Sequence, residues 1–139
     1  MLQSSRGPQV LLSSQVASGA VPVLGAAYRL RPVVGDGVVD DAQVFTFVAK
    51  TQFNGGATTP TGQVVIEGSA DNATWYPIAN GTVRTSDNSI AAEQVPEVTN
   101  MRIPPYIRAK TVLAGGTAPT LANVTVWVNS NADFSLEAA

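Results

Sequence analysis

Residues 62–79, GQVVIEGSADNATWYPIA, carry the strongest local structural signal in the chain. Val64 and Ile66 alternate with Val65 and Glu67, and this two-residue period is typical of a strand with one face on a core. The letters GSADN that follow favour a turn, because glycine accepts positive φ and Asp and Asn side chains bond nearby backbone groups. The stretch is therefore predicted to begin as a strand that ends in a polar turn.

The second strand of this predicted hairpin begins at Trp75 and Tyr76. A large ring flanked by strand residues commonly fills the space between two sheets, so we expect Trp75 in the core. Pro77 indicates an edge strand or a strand end, because proline has no N–H to donate to a central ladder. Asn80 and Gly81 then form a dipeptide typical of tight hairpin turns.

Alternating patterns recur about every ten residues along the rest of the chain, with turn residues between them. Residues 42–53, 106–114 and 121–129 are the clearest strands, and the first has β-forming residues on both faces, which favours a central position. Each of these strands has one set of side chains on a common face. The sets are Phe45 and Phe47 in the first strand, Ile107, Ala109, Thr111 and Leu113 in the second, and Val124, Val126 and Val128 in the third. No segment has a helical stripe, so the sequence predicts an all-β fold, an antiparallel β-sandwich of the jelly-roll or Ig-like kind with an extended N-terminal arm.

Two further prolines predict local features of the sheets. Pro32 follows a short alternating segment and points to an edge strand. Pro96 is expected to end a weak strand over residues 90–95, since the residue before a proline is also restricted.

The two ends of the chain differ from its middle part. Residues 1–26 are rich in Ser, Gly and Gln with short apolar islands, and are predicted to form an arm ordered on a neighbouring subunit; a poorly ordered terminus is the alternative. Residues 27–132 are the predicted β-sandwich domain. Residues 133–139 are a loosely held C-terminal tail, whose Phe134 and Leu136 are candidates for docking on a neighbour. The arm residues expected to contact a partner are Val10, Leu11, Leu12, Val21, Val23 and Leu24.

Composition excludes several classes of enzyme. The chain has neither cysteine nor histidine, which rules out Ser-His-Asp and Cys-His triads, zinc-thiolate sites and disulfides. Carboxylate pairs of the glycosidase kind and a lysine nucleophile remain formally open. The ten acidic residues are scattered, however, and no pair has a context that marks it. We therefore predict a protein that is not an enzyme and has no cofactor.

A metal site has one candidate location in the sequence. Asp36, Asp40 and Asp41 lie close together, and a hard cation such as Ca²⁺ is one interpretation of three neighbouring acids. Their spacing matches no known loop motif, so an acidic solvated turn is favoured.

Charge and hydropathy argue against nucleic acid and membranes as partners. The eight basic residues form no run and the net charge is -2, whereas a nucleic-acid footprint needs a basic patch. The longest apolar stretch, residues 21–27, is too short to span a bilayer, and the N-terminus has no Sec-type pattern. We expect a soluble chain made in the cytoplasm.

Charged residues form only 13% of the chain, against about 25% in most proteins, which suits a surface packed against other chains.

Two stretches together resemble small β-sandwich proteins of tailed bacteriophages. The first is QVVIEGSADNATWYPIA, a strand followed by GSxDxxxW, and the second is PPYIRAKTVLAGGTAPTLANVTVWV, with PYIR, a strand, GGT and another strand. The resemblance covers roughly residues 63–128, and the group includes head decoration (cement) proteins and tail or fibre modules. The GSxDxxxW turn is also similar to that of carbohydrate-binding jelly rolls. The matching residues are Gly68, Ser69, Asp71, Trp75, Pro105, Tyr106, Ile107, Arg108, Gly115 and Gly116.

The resemblance implies a structural virion protein, specifically a capsid decoration or cement protein that binds and stabilises the phage head through its β-domain and its arm. Its partners would be the major capsid protein and neighbouring copies of itself, with a trimer as one form, in a virion assembled in the host cytoplasm. The alternative is a carbohydrate- or receptor-binding module of a phage tail or fibre. The candidate surface contacts are Tyr28, Tyr106, Arg108, which could reach a neighbour's carboxylate, and Trp127, which we expect to be half-exposed.

Overall fold

Every element that the structure describes is a β-strand. The structure, a computed structural model, describes residues 4–5, 9–18, 24–32, 44–54, 61–84, 89–99, 104–114, 120–130 and 134–139. In chain order the strands are β1 (Ser4–Ser5), β2 (Gln9–Ser18), β3 (Tyr28–Pro32), β4 (Val44–Asn54), β5 (Thr61–Ser69), β6 (Tyr76–Asn80), β7 (Ser89–Thr99), β8 (Tyr106–Ala114), β9 (Thr120–Ser130) and β10 (Phe134–Ala138).

The strands form two antiparallel sheets that pack as a sandwich. The six-stranded sheet has the order β1-β10-β3-β8-β5-β6, and the four-stranded sheet has the order β2-β9-β4-β7. Apart from β1 and β10, the strands pair in a nested way, β2 with β9, β3 with β8, β4 with β7 and β5 with β6. Nested pairing of eight strands across two sheets is the jelly-roll arrangement. The predicted antiparallel sandwich is therefore confirmed, and its strand order is that of a jelly roll rather than an Ig-like domain.

An apolar core fills the space between the two sheets, as the two-residue period predicts. Strand β4 lies between β9 and β7, so its predicted central position is confirmed. Burial of each large apolar side chain contributes about 1.5–3 kcal/mol, which makes these faces the main stabilising feature of the fold. The fully buried members of the core include Phe45, Phe47, Val124, Val126 and Val128 from one sheet and Ile66, Ile107, Ala109 and Phe134 from the other.

The N-terminal segment is extended, but the described part of it is not a separate arm. Strand β2 pairs with β9, and Leu11 and Leu12 are buried in the core. Leu24 and Gly25 lie beside β8, where the Gly25 N–H donates to the Ala109 carbonyl at 2.8 Å. A Cβ on Gly25 would be 2.6 Å from that oxygen, so the close approach requires glycine. The prediction that Leu11 and Leu12 contact a partner is wrong, because they complete the core of their own domain.

The C-terminal segment is also part of the sandwich. Strand β10 lies between β1 and β3. Phe134 is fully buried and Leu136 packs against the core. The predicted tail at residues 133–139 is therefore wrong for β10, because both side chains contact their own domain instead of a neighbour.

Prolines occupy different positions from those expected in two of three strands. Pro77 lies in β6, an edge strand, as predicted. Pro32 lies in β3, which is not an edge, but β3 pairs with β8 through Tyr28 and Arg29, so Pro32 lies beyond that ladder. Pro96 does not end its strand, because β7 is an edge strand and its register to β4 shifts at this point.

The dipeptide Asn80-Gly81 does not form the predicted tight turn. The Gly81 N–H donates to the Val64 carbonyl at 2.8 Å, and Arg84 and Gly62 exchange backbone hydrogen bonds of 2.7 and 3.0 Å. The chain after β6 therefore continues along β5 instead of reversing. The predicted residues that lie outside the described part of the chain are Val21, Val23, Asp36, Asp40, Asp41, Gly115 and Gly116.

Candidate binding surfaces

The outer face of the four-stranded sheet carries a row of three apolar side chains. Trp127 on β9 is directly opposite Val10 on β2 and Val48 on β4. Directly opposed residues share a face of the sheet, and the neighbours of Trp127 in sequence, Val126 and Val128, point into the core. We call Val10, Trp127 and Val48 the apolar row. Val10 is 50% exposed, and the other two are half-buried.

Polar side chains border the apolar row on both sides. Thr46 lies opposite Asn129 on one side, and Thr125 lies opposite Ser13 and Lys50 on the other. The Asn129 Oδ1 atom is buried and has no hydrogen-bond partner in the described part of the chain. An apolar centre with a polar border is the usual composition of a protein-binding patch.

The outer face of the six-stranded sheet is charged instead. Glu67 on β5 is directly opposite Arg108 on β8 and is 5% exposed. Its carboxylate accepts a hydrogen bond from the Arg108 Nε at 2.9 Å and lies 2.8 Å from the Lys110 Nζ. The Arg108 guanidinium also lies 4.1 Å from the ring centroid of Trp75. We call Glu67, Arg108, Lys110 and Trp75 the Glu67 network.

The charges of the Glu67 network largely satisfy each other. Burial raises the pKa of the Glu67 carboxyl, but hydrogen bonds from Lys110 and Arg108 and their positive charges outweigh it and hold the pKa below the usual 4.5. The carboxylate is therefore ionised at neutral pH and fixes both cations on the sheet. This arrangement stabilises the fold and leaves the Glu67 network with a net charge of +1.

The turn between β5 and β6 is organised by one carboxylate. Asp71 Oδ1 accepts hydrogen bonds from the Ser69 hydroxyl at 2.9 Å, the Ala73 N–H at 2.9 Å and the Thr74 N–H at 2.7 Å. These bonds lower the pKa of Asp71 from 3.8 to about 2, with the Thr74 N–H as the largest cause. Asn72 adopts the left-handed conformation at φ 59°. The letters SADNAT thus form a rigid polar turn.

The structure separates the four predicted surface residues. Tyr28 is half-buried on β3 and packs partly against the core. Tyr106 and Arg108 lie on the outer face of the six-stranded sheet, and Arg108 pairs with Glu67 of its own chain rather than with a neighbour's carboxylate. Trp127 lies on the opposite side of the molecule, in the apolar row. Leu24, another predicted contact, is 58% exposed beside β8.

Trp75 differs from its prediction in a physically informative way. It is half-buried and stacks on Arg108 on the outer face, so it does not fill the space between the sheets. A cation over the indole face shields the ring from water without placing it in the core.

Three members of these surfaces were missed from the sequence: Val48, Glu67 and Lys110. Val48 is outward because Phe47 and Ala49 beside it are buried, and the alternation of β4 could have marked it. Lys110 follows the same period as Arg108. Their grouping around Glu67 depends on the register of β5 and β8, which no local pattern fixes.

The described side chains contain no group of three or more His, Cys, Asp and Glu residues placed to hold a metal ion.

Searches of family models, curated proteins and solved structures found no match to the chain. The described part also has no helix long and apolar enough to cross a membrane.

Proposed function

We propose that the chain is a structural virion protein, a head decoration or cement protein that binds the capsid surface of a tailed bacteriophage and stabilises it. The observation that carries the proposal is the apolar row Val10, Trp127 and Val48 on the outer face of a rigid sheet. Three apolar side chains in register on one sheet face, bordered by hydroxyl and amide groups, fit a protein surface.

Two further features support this function. Jelly rolls recur in viral capsid proteins and in lectins, so the fold agrees with both candidate functions. The low charge content of the chain, 13%, reduces the cost of placing its surface against another protein. The sequence resemblance to virion accessory proteins supports a partner on the virion, and the apolar row favours a protein surface such as the capsid.

The mechanism of binding differs from one based on a free arm. Leu11 and Leu12 are buried, so the N-terminal contribution to the binding surface comes from Val10 on β2. Capsid contact then uses the sheet face, and its partners are the major capsid protein and other copies of the chain. Several weak contacts per particle add through effective concentration.

Particles from the phage that encodes the chain test this proposal. Mass spectrometry of purified virions should detect the chain, and electron microscopy should place a jelly-roll density on the outside of the head. Absence of the chain from particles, or its location inside the head, would contradict the proposal.

A pair of matched variants tests which face binds. Val48→Lys places a charge on the outer face of the four-stranded sheet, and Val112→Lys places the same charge on the exposed outer face of the six-stranded sheet. When added back to particles that lack the chain, Val48→Lys should bind at least about tenfold more weakly than wild type, because an unpaired charge is desolvated. Val112→Lys should bind like wild type. Equal binding by both variants would exclude the apolar row.

One observation favours the second candidate, a carbohydrate-binding module of a tail or fibre. Trp127 is half-buried on the outer face of its sheet, where Thr125 and Asn129 lie on either side of it. A partly exposed aromatic ring beside polar side chains is the arrangement that stacks on a sugar. In a Trp75→Phe variant, Trp127 is the remaining fluorophore. Saturable fluorescence changes with host polysaccharide would favour this candidate, and a flat titration would favour the decoration protein.

A further inference from the structure

The four edge strands of the two sheets differ in how they are protected against pairing with another chain. Natural edge strands carry proline, charged residues, bulges or are very short. Strand β1 has two residues, and β6 has five residues including Pro77. Strand β7 contains Pro96, Glu93 and Glu97 and a register shift. Each of these three edges therefore resists strand addition.

Strand β2 has almost none of these protections. Its sequence QVLLSSQVAS contains no proline and no charged residue. Its register to β9 shifts once, between Val10 and Leu12, and is continuous over residues 12–18. In the described part of the chain, β2 pairs with a strand on one side only, β9. Half of the N–H and C=O groups of an antiparallel strand point away from its partner, so this side offers a hydrogen-bonding template.

We propose that β2 is the surface through which two copies of the chain associate, pairing antiparallel about a twofold axis. The two four-stranded sheets then form one eight-stranded sheet. The proposal extends the self-association that belongs to the proposed function, but it can be true or false independently of capsid binding.

The chemistry of β2 favours a second copy as its occupant. In an antiparallel pair of identical strands every residue faces a residue from the same short sequence, and like charges opposite each other would be destabilising. The absence of charge in β2 removes that repulsion in any register. Both sheets are already antiparallel, and an isologous twofold contact is the commonest way for identical chains to associate.

The same reasoning gives a dimer rather than a trimer for this contact. A trimer built by extending sheets needs β2 to pair with a different edge of the next copy. Strands β1, β6 and β7 each carry features that resist pairing, whereas β2 with β2 closes after two copies. The apolar row also ends at β2, at Val10, so two copies place two apolar rows on one continuous sheet.

A charge-swap experiment at the centre of the contact tests the proposal. Gln15 lies at the middle of the continuous register, residues 12–18, so a twofold axis there places the two copies of position 15 about 5 Å apart. Wild-type protein should be a dimer by analytical ultracentrifugation at high micromolar concentration. Gln15→Lys and Gln15→Glu should each weaken the dimer at least about tenfold, and an equimolar mixture of the two should restore it.

A matched pair of variants separates the edge from the sheet face. Thr125→Lys and Thr125→Glu place the same charges on the same sheet, one strand away from the edge. These variants should remain dimers. A monomeric wild type, equal dissociation by the variants at both positions, or a mixture that stays monomeric would overturn the proposal.

Hydrogen exchange of the wild-type protein provides a measurement that needs no variant. Backbone amides of β2 that point away from β9 should exchange more slowly at high than at low protein concentration, while those of β7 should not change. Exchange of β2 that is independent of concentration would contradict the proposal. A wild type that is monomeric yet bound to particles rejects the β2 contact alone, whereas a dimer absent from particles rejects the proposed function alone.

Discussion

Phe134 of β10 contacts Phe45 of β4 edge to face, with ring centroids 5.7 Å apart and ring planes at 84°. The two rings come from different sheets and both are fully buried. Edge-to-face pairs of this kind contribute about 0.5–1.5 kcal/mol beyond the burial of their area. The last strand of the chain therefore links the two layers of the sandwich.

Replacement of Phe134 should strongly destabilise the protein. Phe134→Ala is expected to lower the free energy of unfolding by about 3–5 kcal/mol, because it leaves a cavity between the sheets. Phe134→Leu keeps most of the volume and should cost less than about 1.5 kcal/mol. Chemical denaturation of both variants measures the difference. A Phe134→Ala variant as stable as wild type would show that the segment is a tail after all.

Neighbouring residues on β2 should respond in opposite ways to truncation. Leu11 is 1% exposed and Val10 is 50% exposed. Leu11→Ala should cost about 2–5 kcal/mol of unfolding free energy, whereas Val10→Ala should change it by less than about 0.5 kcal/mol. Thermal and urea denaturation of the two variants check this expectation. Comparable small effects at both positions would restore the interpretation of residues 9–18 as a free arm.

The strands that follow a strict two-residue period could be predicted from the sequence, and the terminal strands could not. Among the described side chains of β4, β8 and β9, every second one faces the core, so local alternation is sufficient. In β2, the register shift between Val10 and Leu12 turns two adjacent residues, Leu11 and Leu12, toward the core. That irregularity removes the period, and the segment then resembles an unpaired arm.

The binding surfaces were predictable only in part, for a similar reason. Because Val126 and Val128 face the core, the alternation of β9 places Trp127 on the outer face of the sheet. The sequence of this one strand is enough to predict that. The apolar row and the Glu67 network depend on which strands are neighbours and in which register. Arg108 shows the limit clearly, since its partner Glu67 is 41 residues away in sequence.

Removal of the Glu67 charge should destabilise the fold at neutral pH. Glu67→Gln leaves Arg108 and Lys110 without their shared carboxylate, and we expect a loss of about 1–3 kcal/mol, less than for a fully buried pair because Lys110 is partly exposed. Glu137→Gln, which removes the exposed partner of Arg31, should cost less than about 1 kcal/mol.

The effect of Glu67 should also depend on pH in a defined direction. Because the folded-state pKa lies below 4.5, the stabilisation is fully present above that pH and is lost as the pH falls through the folded-state value. The stability difference between wild type and Glu67→Gln should therefore shrink in acid. Urea denaturation at neutral pH and at about pH 3 measures it. A difference that grows in acid would contradict the assignment of Glu67 as the ionised partner.

Asp71 should give a second contribution to the dependence of stability on pH. Its pKa falls from 3.8 to about 2 on folding, so its stabilisation is present above 3.8 and is lost as the pH falls toward 2. Asp71→Asn should flatten the dependence of stability on pH in that window. Asn72→Gly is the control, because it changes the same turn without a titrating group. Identical slopes for wild type and Asp71→Asn would show that the turn does not hold an ionised carboxylate.

The nested order of strand pairs also determines when the sandwich can fold during translation. Gln9 donates a side-chain hydrogen bond to the Phe134 carbonyl, 125 residues later in the sequence. Strand β2 cannot pair with β9 until β9 has left the ribosome, and contacts between residues so far apart in sequence form slowly. The nascent chain therefore carries β2 unpaired and uncharged while the strands up to β9 are synthesised, and an exposed unpaired strand at this stage is prone to aggregation.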